Sequence, residues 1–154
     1  MRGNTKSIGK RETEEMMKAF EATCRQAGLK VTPQRMAVYR ALIETTEHPS
    51  ADAVFRKVRR VFPSISLDTV NRTLLTLNDL GVAFAVEGSG DAKRFDVNLK
   101  THQHFKCLKC RKIIDFHHEP FDRIEPPENL AARFSVLRTT VYLEGLCDVC
   151  KGKC

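Results

Sequence analysis

Nowhere does the chain carry the roughly 18 consecutive apolar residues that a membrane helix needs. Its opening stretch, MRGNTKSIGKRETEE, is polar where a signal peptide would place an apolar core. A soluble, cytoplasmic protein with no membrane partner is therefore expected. No internal repeat and no low-complexity run occurs, which sets aside repeat architectures and compositionally driven disorder. Catalytic signatures are missing too. There is no H-E-x-x-H, no G-x-S-x-G, no Walker loop, and no H-x-E joined to P-C-x-x-C. An enzyme has no motif behind it, and a non-enzymatic protein is expected. At 154 residues the chain can bury one respectable core or two small ones.

What is present is positive charge and cysteine. Lys and Arg number 26 against 19 Asp and Glu, giving +7 and a pI near 9.3. The excess is uneven, with 16 basic and 11 acidic residues up to Phe95 and 10 and 8 after it. Such a balance is compatible with a polyanionic partner, concentrated on the first part. The six cysteines are Cys24, Cys107, Cys110, Cys147, Cys150 and Cys154. In a cytoplasmic chain, C-x-x-C pairs point to a metal or to redox chemistry before a structural disulfide.

The first part reads as four helices. Apolar Met16, Met17, Phe20 and Ala27 recur at helical spacing before Gly28. Thr32 caps a second helix with Pro33 at its first position. Ser50 caps a third, on which Ala51, Val54, Phe55, Val58 and Phe62 form one stripe ended by Pro63. Ser66 caps a fourth, with Val70, Leu74, Leu77 and Leu80 inward and Gly81 as its stop. The period then becomes alternating, VAFAVEG and AKRFDV flanking GSGD, which marks a hairpin. Helices followed by a hairpin outline a winged helix whose fourth helix would enter the major groove. From about residue 97, FKCLKC and KIIDFH suggest a hairpin around a metal knuckle, PPENLAARF a short helix and SVLRTTVYLEG a strand. The expected fold is α+β, with a winged-helix DNA-binding domain over 1–95 and a small α/β dimerisation domain over 96–154.

Two C-x-x-C knuckles, Cys107/Cys110 and Cys147/Cys150, together supply four thiolates, the donor set of a closed tetrahedral zinc site. A disulfide or thiol-exchange pair is the competing reading. With zinc on the cysteines, His102 and His104 remain. Positions i and i+2 of a strand share a face, so both imidazoles can reach one ion. Two ligands hold a regulatory metal poorly. Asp96, Asp115 and His48 lie near enough in sequence to be considered, although each alone is more often a loop or strand-end group.

LKVTPQR, HPSAD, FPSISLDTV, KRFDV, HQHFKCLKC, IIDFH and CDVC follow one another in the order and spacing of the ferric uptake regulator family. The resemblance spans about residues 15 to 150 and is strongest to its peroxide-sensing branch. It implies a homodimeric, metal-dependent transcriptional repressor acting on double-stranded operator DNA. It implies His48, Asp96, His102, His104 and Asp115 as ligands of a regulatory Fe(II) or Mn(II), and Cys107, Cys110, Cys147 and Cys150 as ligands of a structural Zn(II). It further implies that His48 and His102 are the oxidation-sensitive ligands, with peroxide the only small-molecule substrate. Aspartate at 115 is the peroxide branch's residue, where the iron-sensing branch tends to have glutamate.

On the DNA-binding side, Thr69, Asn71, Arg72 and Thr73 of the fourth helix, with Lys30 and Arg35, are the expected contacts. Asn71 stands where many relatives have tyrosine. An asparagine can read adenine, and Arg72 can reach guanine or phosphate. The run Arg56, Lys57, Arg59, Arg60 reads more simply as a solvated helix face. Arg111 replaces a glycine usual after the first knuckle. Gln103, Thr139 and Thr140 replace residues that build an extra metal site in some relatives, so that site is expected to be missing. The alternatives are a repressor of the same family answering to iron, manganese or zinc availability, and a metalloenzyme using the H-x-H pair.

Overall fold

The structure is a computed structural model that describes residues 8–45, 47–86 and 92–152. It falls into two compact units that meet between Leu99 and Lys100. The sequence places the boundary at about Phe95 to Leu99.

The N-terminal unit contains α1 (Lys10–Gln26), α2 (Pro33–Ile43), α3 (Ala51–Val58), α4 (Leu67–Asp79), β1 (Phe84–Val86) and β2 (Arg94–Asp96). Three helices begin where the sequence places a hydroxyl cap. The Thr32 Oγ1 accepts from Arg35 N at 3.2 Å, the Ser50 Oγ from Ala53 N at 3.3 Å, and the Ser66 Oγ from Thr69 N at 3.1 Å. Each cap satisfies a backbone donor that the helix cannot, worth about 1 kcal/mol. Gly28 and Gly81 both sit at φ +69, the left-handed conformation that ends a helix most cheaply in glycine. The third helix is shorter than its stripe suggested, stopping at Val58, with Phe62 N still bonded to Val58 O at 2.9 Å. The inner faces meet in one core built on Phe20, Val38, Leu42, Ile43, Val54, Val70, Leu74, Leu77 and Phe95. Burying one such side chain contributes about 1.5–3 kcal/mol. β1 and β2 pair antiparallel, Ala85 opposite Phe95, completing a winged helix. The GSGD turn lies outside the described residues.

The C-terminal unit contains β3 (Gln103–Cys107), β4 (Ile113–Phe116), α5 (Glu119–Asp122), α6 (Glu128–Ala131), β5 (Tyr142–Gly145) and α7 (Asp148–Lys151). Its sheet runs β4-β3-β5, antiparallel on one side of β3 and parallel on the other. The strand expected over 135–145 is a strand only at Tyr142–Gly145. Its length is set by its partner, because β3 offers only His104 to Cys107 for pairing before the chain turns into the knuckle. α5 has no strong periodic signal at four residues and was not expected. Buried apolar material is scarce here: Cys107, Cys147 and Cys150, with Phe105 and Ile114 against them, form the cluster. Meanwhile Phe134, Leu137 and Val149 are 59, 93 and 60 % exposed, and Leu143 and Leu146 are also exposed.

Candidate metal centres

The four knuckle cysteines converge within the C-terminal unit. Their sulfurs all lie within 4.8 Å of one another, and none is in a disulfide. The Cys110 and Cys147 sulfurs are 3.7 Å apart. Four sulfurs set tetrahedrally about zinc at about 2.3 Å would stand roughly 3.8 Å from each other. Backbone geometry builds this site. β3 delivers Cys107 at its end, β5 returns to Gly145, and Leu108 N bonds Gly145 O at 2.8 Å, which clamps one knuckle to the other. The Cys107 sulfur accepts from Cys110 N at 3.5 Å and from Cys147 N at 3.4 Å. Those donors hold the Cys107 thiol down at about 6, whereas burial and the neighbouring thiols push Cys150 up to about 12. Without a cation, crowding disfavours further negative charge. A divalent ion that accepts four thiolates removes that conflict, so the donor set fits zinc. The tight turn is closed by Arg111 N bonding Cys107 O at 2.9 Å, and it holds Arg111 at φ +65.

The expected histidines and aspartates fall in two groups, one in each unit. In the C-terminal unit, His104 of β3 and His102 just before the strand turn their rings together, and register places Asp115 of β4 directly opposite His104. The Nε2 atoms of His102 and His104 are 3.0 Å apart. Asp115 Oδ1 lies 3.7 Å from the first and 3.5 Å from the second. Neighbouring donors on an octahedral ion at about 2.1 Å are roughly 3 Å apart, so these three atoms approach a facial arrangement. The Lys100 carbonyl stands 2.6 Å from the His102 Nδ1, a contact that fixes the proton there and leaves Nε2 as the ligand atom. His104 is fully buried and stacks on Tyr142, ring centroids 5.6 Å apart.

In the N-terminal unit His48 and Asp96 are both buried, with His48 Nε2 3.5 Å from Asp96 Oδ2. A long-range clip brings them together. Phe95 N donates to Pro49 O at 3.0 Å, Ser50 bridges Arg94, and the Arg94 Nε donates to the His48 carbonyl. Asp96 is oriented in turn by Asn98 N donating to its Oδ1 at 2.8 Å.

Among the expected DNA contacts, Asn71 and Arg72 are exposed on α4, Arg72 loosely paired with Asp68 at 3.8 Å. Asn71 borders a groove of about 660 Å³ whose walls include Leu67, Leu75, Ala92 and Phe95. Thr69 and Thr73 are half-buried, and their hydroxyls serve the helix itself, Thr73 Oγ1 donating to Thr69 O. Lys30 is exposed, whereas the Arg35 guanidinium is spent on the Lys30 carbonyl. Arg56 pairs with Asp52, Lys57 with Glu44, and Arg59 lies over Phe55.

One further polar cluster, around Gln103, goes beyond the residues that sequence reasoning singled out as ligands. Gln103, buried between the two histidines in sequence, donates to Asp122 Oδ1 at 2.6 Å and accepts from His118 N at 2.8 Å. His117 Nε2 takes the other Asp122 oxygen at 2.7 Å. Only its place on the opposite face of β3 from His102 and His104 hinted at a separate role.

Residues 26–144 match the ferric uptake regulator family. A curated relative, the peroxide-responsive repressor PerR of Staphylococcus epidermidis, is 35% identical over 130 residues, covering 84% of this chain and 87% of the relative. Among solved structures, the ferric uptake regulator of Helicobacter pylori shares the fold at a TM-score of 0.75 and 23% identity, over 95% of this chain and 97% of that one. PerR from Streptococcus pyogenes, described in terms of peroxide sensing and gene regulation, aligns at 28% identity and a TM-score of 0.52, over 88% of this chain and 92% of that one.

Proposed function

The chain belongs to the ferric uptake regulator family of metal-dependent repressors, and from that premise we propose that it senses hydrogen peroxide through oxidation of histidine ligands. The observation that carries this reading is the convergence of His102 Nε2, His104 Nε2 and Asp115 Oδ1 to 3.0–3.7 Å. Three imidazole and carboxylate donors suit Fe(II) or Mn(II), unlike the soft four-thiolate group. Three donors in one unit and two in the other each leave an ion under-coordinated. By the family resemblance, one regulatory ion takes His48, Asp96, His102, His104 and Asp115. Zinc takes Cys107, Cys110, Cys147 and Cys150.

Those five histidine and aspartate residues would hold an ion that accepts six donors and would leave room there for peroxide. Fe(II) held by these residues would supply cleavage of the peroxide O–O bond; hydrogen peroxide is the two-electron oxidant, one of its oxygens entering a C–H bond of a ligand imidazole and the other leaving as water. His48 and His102 are the recipients in this reading. His102 is the suited one in the C-terminal unit, since the Lys100 carbonyl directs its Nε2 toward the other donors while its ring edge stays less enclosed than that of His104. An oxygen added to the ring weakens it as a ligand. Because ligands come from both units, metal binding and DNA binding are linked, and loss of one ligand must weaken the operator complex.

A homodimer is supported by the exposed Phe134, Leu137, Leu143, Leu146 and Val149, too much apolar surface for a small unit to leave in water. DNA binding is supported by the winged helix, with Asn71 and Arg72 outward on α4. No helix of the described residues is long and apolar enough to cross a membrane. Paired knuckle thiols that form no disulfide suit the reducing cytoplasm, where the protein would act.

The test is mass analysis of histidine-containing peptides after one equivalent of hydrogen peroxide, on protein loaded anaerobically with Fe(II) and, as control, with Mn(II). One added oxygen on His48 or His102 in the iron sample alone, with operator binding lost, is the expected result. Unmodified histidines in both samples would sink the peroxide reading and leave a repressor that responds to metal supply. Turnover of a substrate without DNA affinity would point instead to the metalloenzyme alternative.

A further inference from the structure

We propose that the ammonium of Lys106 is an affinity-setting charge for the histidine–aspartate metal site, an inference that rests on the metal-dependent function above. β3 carries His104 and Lys106 at alternate positions, so both leave the same face of the sheet, and His102 immediately before the strand follows the same alternation. Across the parallel pairing with β5, Tyr142 stands opposite His104. The Tyr142 ring stacks on the His104 imidazole at an interplanar angle of 21°, and the same ring receives the Lys106 Nζ at 3.8 Å from its centroid. One tyrosine thus connects a lysine to a candidate metal ligand.

Lys106 is only 4 % exposed. Among the described residues, no carboxylate stands within ion-pair distance of it. Glu144, its partner in the strand register, is exposed instead. Burying an ammonium without a counter-ion is expensive, and the face of an aromatic ring returns only part of that cost. Packing alone would be served at least as well by methionine, which has nearly the same length and shape and no charge. What methionine cannot supply is repulsion toward a cation. The two ring contacts keep the ammonium within about 10 Å of the His104 imidazole, and at that range a screened unit charge weakens the binding of a divalent ion by up to about tenfold. A trivalent ion is disfavoured more than a divalent one. The site would consequently release its ion when free metal falls and would prefer the divalent state.

The test is Mn(II) binding to the zinc-loaded full chain, followed through the electron paramagnetic resonance of free Mn(II), for the native protein, Lys106→Met and Lys106→Arg. Lys106→Met should bind Mn(II) more tightly, by up to about tenfold, and Lys106→Arg, which restores the charge, should bind as the native protein does. Zinc content should be alike in all three, and Lys106→Met should melt no lower than the native protein. Lys106→Gln carries the same expectation as Lys106→Met and replaces it if the methionine variant loses its zinc. Equal affinities in the native and neutral variants overturn the inference and leave the metal-dependent function standing. Absence of any Mn(II) binding beyond zinc in the native protein overturns both.

Discussion

Arg111 is the described non-glycine residue that the fold holds at positive φ, +65, in the turn that closes the first zinc knuckle. A side chain in the left-handed region costs roughly 1–2 kcal/mol through the clash of its Cβ with the carbonyl. Glycine escapes that clash but gives back about 0.5–1 kcal/mol, since it has more freedom to lose on folding. The difference leaves a net gain of about 0.5–1 kcal/mol for glycine over alanine here. Arg111→Ala removes the side chain without relieving the backbone, so the comparison of Arg111→Gly with Arg111→Ala isolates the conformational part. For a chain of this size, a gain of that order raises the melting temperature by about 1–4 °C. If the knuckle is strained mainly in its zinc-bound shape, the same energy improves zinc retention about two- to fivefold. Calorimetric melting of the zinc-loaded variants checks the first number, and competition with a chromophoric chelator checks the second. A glycine variant that melts at or below the alanine variant, and gives up zinc as readily, would refute the strain.

The thiols make the zinc site pH-dependent with a definite sign. Cys107, depressed to about 6, favours the fold above its ordinary value of 9.0, and this contribution is lost as pH falls from there through 6. Cys150, raised to about 12, favours the metal-free fold below 9.0, loses that as pH rises toward 12, and must surrender its proton to zinc. Zinc uptake measured calorimetrically at pH 8 in buffers of different ionisation enthalpy should therefore release the Cys150 proton, and Cys150→Ser should lower that count along with zinc affinity. On α4, Arg72→Ala should weaken operator binding by about 1–3 kcal/mol if Arg72 meets a base, and should flatten the salt dependence without changing sequence preference if it meets phosphate. Fluorescence anisotropy across a salt series, with cognate and scrambled duplexes, separates the two, and unchanged affinity would remove Arg72 from the interface.

The helical half was legible because its signals are local. A Thr or Ser before an apolar stripe, a proline at the first turn and a glycine at the stop act within a few residues, and α2, α3 and α4 begin at the caps Thr32, Ser50 and Ser66. The two cysteine pairs were equally plain, because four thiolates in a chain of this kind have few other uses. The alternation of His102 and His104 fixed their common face. α5 and the irregular 135–141 segment were not legible, because they depend on how much of β3 remains to be paired.

The sequence alone determined the donor types, the strand period and the helix starts, since each rests on covalent spacing and short-range sterics. Tertiary structure decided which distant groups surround those donors. His48 meets Asp96 because the Pro49 and Ser50 backbone bonds to β2, across more than forty residues of chain. Asp115 and Tyr142 flank His104 only through the register of β4 and β5, and a slip of one residue would turn each to the other face. The burial of Lys106 and the left-handed turn at Arg111 likewise follow from the sheet and the knuckle that it feeds. Hydrogen-bond register and packing set these contacts, and neither is written in any local stretch of the chain.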